Sequence, residues 1–520
     1  MIKNAVNAIL TIVLLLVSHS VFAQHKTGSW GDQGNGTYIN PVLNADYSDP
    51  DVIRVENKYY MVCSEFHFMG MTLQESDDMV NWRIVGRIYN RMPYVAYDSL
   101  KRYAGGSWAP SIRYHNNKFW VYFCTPDEGL FMTNASKPEG PWSPLACVKA
   151  VARWEDPCPF WDQDGQAYLG HSLYGAGPII IHKMSADGTT LLDEGKTVYT
   201  GPVAEGTKIF KRNGYYYLSI PEGGVDKGWQ TVLRAKSMYG PYEKRVVLET
   251  GSTKINGPHQ GAMVDTPNGE WWFYHFQSAG AVGRVMHLQP MRWHDDWPVV
   301  GIDIDLNGIG EPVSVWQKPN VGAIFPISAP QTDDEFDNKE LGLQWQWNHN
   351  PVDSQWSLTE KPGWLCLKAL KASTLKEAQN TLTQKVMGNS GEVITQMDAS
   401  LMLSGQKAGL ACMSKEFSVI GVKNTEGKLS VFFEATGKQS VEIPTARKTI
   451  YLKLKLDLTS KKSRCYYSVD NKTYLPLGEE FEAKWGFWKG ARVALFSYNE
   501  LGEGGTAAFN FLHYNYDGPK

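Results

Sequence analysis

Cysteine is scarce in this 520-residue chain: there are seven, and no two form a C-x-x-C pair. An odd count leaves at least one thiol unpaired within the chain, and the missing C-x-x-C argues against a structural zinc site. Cys63 and Cys124 sit among apolar residues and read as buried free thiols. Neither sign of charge is in excess. Lys and Arg number 51 against 54 Asp and Glu, a net charge of −3, so no basic field for nucleic acid exists. Beyond the amino terminus no stretch is long and apolar enough for a membrane span, so none is expected in the mature chain. Helical 3.6-residue periodicity is almost absent. Together these absences point to an all-β chain of more than one domain.

The one apolar run, Ala8 to Val17, follows Lys3 and precedes Val21-Phe22-Ala23. That order reads as a signal peptide over residues 1–23, cleaved before Gln24. No cysteine follows the cleavage site to carry a lipid. The mature protein is therefore expected to be exported, periplasmic or secreted.

Aromatic residues are plentiful: 19 Trp, 26 Tyr and 20 Phe. Most suit β-sheet cores, and flat rings also make platforms for sugar faces. Five segments repeat one pattern, beginning at Asp49 (DPDVIRVENKYYMVCS), Ala109 (APSIRYHNNKFWVYFCT), Asp156 (DPCPFWDQDGQAYLGHS), Glu205 (EGTKIFKRNGYYYLSI) and Gln260 (QGAMVDTPNGEWWFYHF). Each is a short apolar strand, a polar turn and an aromatic strand. Repeated hairpins at this spacing are the signature of a propeller, whose blades bring equivalent positions to one axis. Residues 24–318 are thus expected to form a five-bladed β-propeller. A Pro- and Gly-rich stretch at 319–333 reads as a linker. From 334 to 520 the strands lengthen and alternate with period 2, as in Ile450-Tyr-Leu-Lys-Leu-Lys-Leu, which suits a β-sandwich.

Asp49, Asp156 and Glu205 open three of the five repeats, where Ala109 and Gln260 open the others. The fold therefore does not demand an acid at the start of a repeat. Like charges converging on one axis repel, and a fold tolerates this mainly where the perturbed protonation is useful. Hydrolysis of a glycosidic bond needs such a cluster: one carboxyl protonates the leaving oxygen and one carboxylate activates water or attacks directly. A third acid can raise the pKa of the proton donor by repulsion.

These residues resemble glycoside hydrolase family 43. The segment Asn40-Pro41-Val42 through Ser48-Asp49-Pro50-Asp51 is similar to the family's general-base segment. Glu155-Asp156-Pro157 through Phe160 resembles the segment with the pKa-modulating Asp, and Glu205-Gly206 through Tyr216 the general-acid segment. The resemblance implies an inverting, exo-acting propeller enzyme with Asp49 as base, Glu205 as acid and Asp156 as modulator. It further implies substrate contacts at Phe66 and Trp108 as pocket walls, and at Arg284 with a sugar hydroxyl. His259 is implied near the general acid. Read alone, Trp108 suits the core equally well, and Arg284 a buried salt bridge. No cofactor is required, although an axial His in some relatives helps hold a calcium ion, which leaves a structural calcium at His259 open.

The carboxy-terminal region resembles the concanavalin A-like β-sandwich behind the propeller of xylosidase-like members, on Glu335-Phe336-Asp337, Leu343 through Pro351 and Trp485 through Gly490. Phe487 is the candidate for a loop that closes the pocket; an independent carbohydrate-binding module and plain interdomain packing are the alternatives. The expected activity is release of terminal β-D-xylose from xylan-derived oligosaccharides. Alternatives are an α-L-arabinofuranosidase, or a bifunctional enzyme, on arabinoxylan, arabinan or pectin side chains. A third is a non-catalytic sugar-binding propeller.

Overall fold

A computed structural model describes residues 28–519 except residue 439; the signal peptide read at 1–23 lies outside the described residues. Each predicted repeat is a hairpin, and the turn residues explain why. Asn116-Asn117 and Asn213-Gly214 both place two consecutive residues at positive φ, the two-residue turn geometry that favours Asn and Gly and matches strand twist. The hairpins they join are Trp108–His115 with Lys118–Thr125 and Lys208–Arg212 with Tyr215–Glu222. Two further strands follow each hairpin, giving five four-stranded antiparallel sheets in simple sequential order. Among the described residues there is no α-helix, only four short 3₁₀ turns.

The first strands of the sheets pack side by side. Asp51–Val55 touches Trp108–His115, which touches Trp154–Trp161, which in turn touches Lys208–Arg212. Met263–Asp265 of the fifth sheet returns to Asp51–Val55. This circular order fits five blades about one axis. Separate apolar clusters fill the gaps between the second and third, third and fourth, and fourth and fifth sheets. The ring is clasped by a small extra sheet, in which Thr37–Ile39 pairs with Gly31–Asp32 on one side and Val315–Gln317 on the other.

From Gln346 onward the chain forms an eight-stranded and a seven-stranded sheet. Thr449–Asp457 alternates as predicted, with Ile450, Leu452, Leu454 and Leu456 buried. One apolar core runs without interruption from the first sheet of the propeller into this sandwich. The joint is also polar. Lys385 and Arg492 of the sandwich both reach Glu65 Oε2, at 3.0 and 3.1 Å, and all three side chains are buried. Met69 and Trp347 pair their backbones across it. All seven cysteines are free and only Cys147 is exposed.

Candidate active site

The backbone marks the start of each blade with one unusual residue. Asp49, Ala109, Asp156 and Gln260 have φ of 53°, 36°, 56° and 44°; in the fourth blade that residue is Gly206, at 62°. The hydrogen bonds agree. Ser64 donates to Asp49 Oδ2 (2.5 Å) and accepts from Ala109 N in the next blade (2.7 Å). Ser172 donates to Asp156 Oδ2 (3.1 Å), and Gly206 N donates to the same oxygen (2.6 Å). Gly206 N thus takes the part of Ala109 N. Glu205 therefore stands one position earlier than Asp49 and Asp156, a difference from the sequence register. Its structural equivalents are Ser48, Trp108, Glu155 and His259.

The two aspartates of Asp49-Pro50-Asp51 separate cleanly. Asp51 is buried and staples blades together: Oδ2 accepts from Arg113 Nη1 at 2.6 Å and Ile112 N at 2.9 Å, with Lys208 Nζ at 3.8 Å. Asp49 carries an ion pair with Arg284 Nη1 at 3.0 Å, and that guanidinium also touches Ser48 Oγ at 3.3 Å. The structure thus gives Arg284 the carboxylate of Asp49 as its partner. A buried guanidinium needs such a counter-charge.

Glu205 Oε1 is held by His259 Nε2 at 2.7 Å. Burial alone would raise the Glu205 carboxyl, but the His259 hydrogen bond and charge, with Arg284, outweigh it and hold it below the ordinary value. The raised groups are its neighbours. Burial and then the charge of Glu205 push Asp156 up to about 6. Burial, Asp156 and Glu205 push Glu155 up to about 9. Carboxyl oxygens of Glu155, Asp156 and Glu205 lie within 4.8 Å of one another. Glu155 escaped sequence reasoning, although its place beside Asp156 in the third repeat was legible.

The three carboxyls lie close enough together to share one cation, and hydrogen bonds already reach most of their oxygens. Both Asp156 oxygens already accept hydrogen bonds, from Ser172, Gly206 and Gln260; Glu155 Oε1 accepts from Ala176 N and Glu205 Oε1 from His259. The imidazole of His259 spends its Nε2 on Glu205, and its Nδ1 is buried without a partner.

Phe66 and Trp108 pack together, and the sandwich loop that carries Phe487 joins them through Trp488. Trp108 is half-buried, anchored by Nε1 on Ala104 O at 2.8 Å. Phe66 is 3% exposed and packs edge-on behind Trp108, so it backs the wall and presents little free surface itself. Phe487 packs against Tyr103 with ring centres 5.2 Å apart; the residue of its loop that meets Trp108 is Trp488, at 6.3 Å. Tyr174 covers another edge of Trp108 at 5.6 Å. The sandwich loop does reach the propeller's aromatic cluster, through Phe487 at Tyr103 and Trp488 at Trp108.

Buried carboxyls of divergent protonation, gathered where propeller blades begin, define a glycoside hydrolase. The chain belongs to glycoside hydrolase family 43: the "Glycosyl hydrolases family 43" profile matches residues 38–298, and the "Beta xylosidase C-terminal Concanavalin A-like domain" profile residues 333–515. A Xylanibacter ruminicola protein, provisionally named a β-xylosidase, is 57% identical over 91% of this chain and 88% of its own. A Formosa agariphila protein named β-xylosidase is 38% identical over 96% and 93%. A Bacteroides ovatus protein named a non-reducing end α-L-arabinofuranosidase is 30% identical over 71% and 70%. Among solved structures, BlXynB of Bacillus licheniformis aligns with a TM-score of 0.81 at 28% identity, covering 92% of this chain and 99% of that one. A bifunctional GH43-CE structure from Bacteroides eggerthii aligns at 0.82 and 30% identity, and the present chain spans only 63% of it.

Proposed function

We propose that the protein is an exo-acting, inverting β-D-xylosidase that removes the terminal xylose from xylan-derived oligosaccharides. Asp49 is the general base. Its ion pair with Arg284 and its bond from Ser64 fix the carboxylate while leaving lone pairs for a water. Glu205 is the general acid, and Asp156 orients it through Gly206 N, the repulsion between the two carboxyls being felt at Asp156, which it raises. As the glycosidic bond breaks, the Glu205 proton passes to the leaving oxygen while Asp49 takes a proton from the attacking water. The observation that carries this reading is the pairing of an Arg-bound carboxylate with a second carboxyl set among proton-retaining acids. Trp488 and Phe487 close one flank of the aromatic cluster, which suits a pocket for a chain end. The leader at 1–23 supports export, and the boundaries at 318 and 334 support a catalytic propeller followed by a sandwich.

Activity on 4-nitrophenyl β-D-xylopyranoside and xylobiose, compared with 4-nitrophenyl α-L-arabinofuranoside, tests the substrate, and NMR of the first-released anomer tests inversion. Glu205→Ala is expected to lower kcat on xylobiose by about 10²–10⁴-fold, the usual worth of general acid catalysis. Preference for the arabinofuranoside would replace xylose with the other pentose. Absence of turnover on every pentoside, with sugar binding intact, would leave a binding propeller.

A further inference from the structure

At rest Glu205 faces a difficulty as a general acid, because the His259 hydrogen bond favours its ionised form. A second proton-holding group close by would offset this. The third blade supplies one carboxyl that the roles above leave unused. Glu155 is 6% exposed and occupies in its blade the backbone position that Glu205 and His259 occupy in theirs. Its side chain accepts one hydrogen bond, from Ala176 N to Oε1 at 3.0 Å. Its carboxyl comes within 4.8 Å of both Asp156 and Glu205, a gap that one water or a turn of the terminal side-chain bond closes.

We propose that Glu155 is a positioning residue that holds a proton for Glu205 and passes it across once substrate is bound. This rests on the glycosidase reading above. The groups facing it favour retention of a proton. Asp156 lies on its own strand, Glu205 comes from the fourth blade and Asp49 from the first, all acidic. The nearby cations are engaged elsewhere: Arg284 with Asp49, Lys208 with Pro110 O and Ser111, and His259 with Glu205. The steps balance. An O–H of Glu155 gives its proton to the Glu205 carboxylate and becomes a carboxylate. Glu205 then gives that proton to the glycosidic oxygen, which keeps the electron pair of the broken C–O bond. Water adds to the sugar carbon and yields its proton to Asp49. After product leaves, Asp49 returns a proton to solvent and Glu155 regains one.

Leaving-group dependence distinguishes this from a structural role. Xylobiose needs protonation of its leaving oxygen, whereas nitrophenolate departs with little help. Glu155→Gln is expected to lower kcat/KM on xylobiose by about tenfold or more while changing 4-nitrophenyl xyloside by under about threefold. The alkaline limb of its xylobiose pH profile should move to lower pH. Glu155→Asp, which keeps a carboxyl, should restore part of the loss. Equal effects on both substrates, or none on either, would overturn the proposal. If the Gln variant does not fold, Glu155→Asp carries the test: its alkaline limb should move for xylobiose alone, and unmoved profiles overturn the idea. Wild-type turnover judges the xylosidase reading separately. If it prefers arabinofuranosides, the same comparison is run on arabinobiose and the aryl arabinofuranoside.

Discussion

The roles proposed for Asp49 and Glu205 need opposite protonation states at one pH, and their neighbours differ in kind. Asp49 pairs with a guanidinium; Glu205 stands with two other acids and an imidazole. Asp49→Asn keeps the shape and removes the proposed base, so kcat should fall by about 10²–10⁴-fold with a native circular dichroism spectrum. The raised acids also couple stability to pH. Glu155 titrates at about 9 in the folded chain, against ~4.3 for an unperturbed Glu, so its contribution is full below the unfolded value and is lost as pH rises through the folded one. Asp156 behaves likewise over a lower window, from ~3.9 up to about 6. Glu155→Gln has no such charge to bury. Its Tm relative to wild type should therefore rise between pH 5 and pH 9. A Tm difference that stays flat or shrinks over that range would contradict the burial argument. The variant would then be less active and more stable at alkaline pH, the trade-off seen where a site stores repulsion.

At the scale of the element, the repeat was legible because hairpins announce themselves twice, by aromatic alternation and by Asn and Gly turns. What misled the register was the fourth repeat. There Glu205 looks equivalent to Asp49, yet the left-handed backbone falls on Gly206. A residue with a Cβ at 206 would meet Pro221 Cδ at 2.7 Å and Gln260 Cγ at 2.9 Å, although Asp, Ala and Gln tolerate the same φ in the other blades. Gly206→Ala should thus displace the N–H that Asp156 accepts, costing about 1–2 kcal/mol of stability and lowering kcat. Thermal melts and xylobiose kinetics on the one variant check both. Ser64, which joins Asp49 to the next blade, and Ser172, which holds Asp156 within its own, carried no signal in the sequence. Nothing local tells such a hydroxyl from a solvated one.

Across the whole molecule, propeller and sandwich share one apolar core and a buried three-member ion network centred on Glu65. Glu65→Ala would strand Lys385 and Arg492 without a counter-charge. It should destabilise the protein by about 3–5 kcal/mol, seen in calorimetry as one transition at lower temperature. An unchanged Tm, or a propeller melting apart from an intact sandwich, would contradict a single continuous core. The network was invisible in the sequence because Glu65 lies 320 residues from one partner and 427 from the other.

The sequence by itself determined the β architecture, the repeat and the family, and it singled out three carboxylates as candidates. These depend on local patterning, which a chain of side chains records directly. Tertiary structure alone decided which atoms meet. It gave Arg284 to Asp49, His259 to Glu205, Trp488 to Trp108, and added Glu155 to the acid cluster. Those pairings arise where blades converge on an axis and a second domain closes over it. Distances between side chains there depend on packing angles, and no spacing along the chain encodes them.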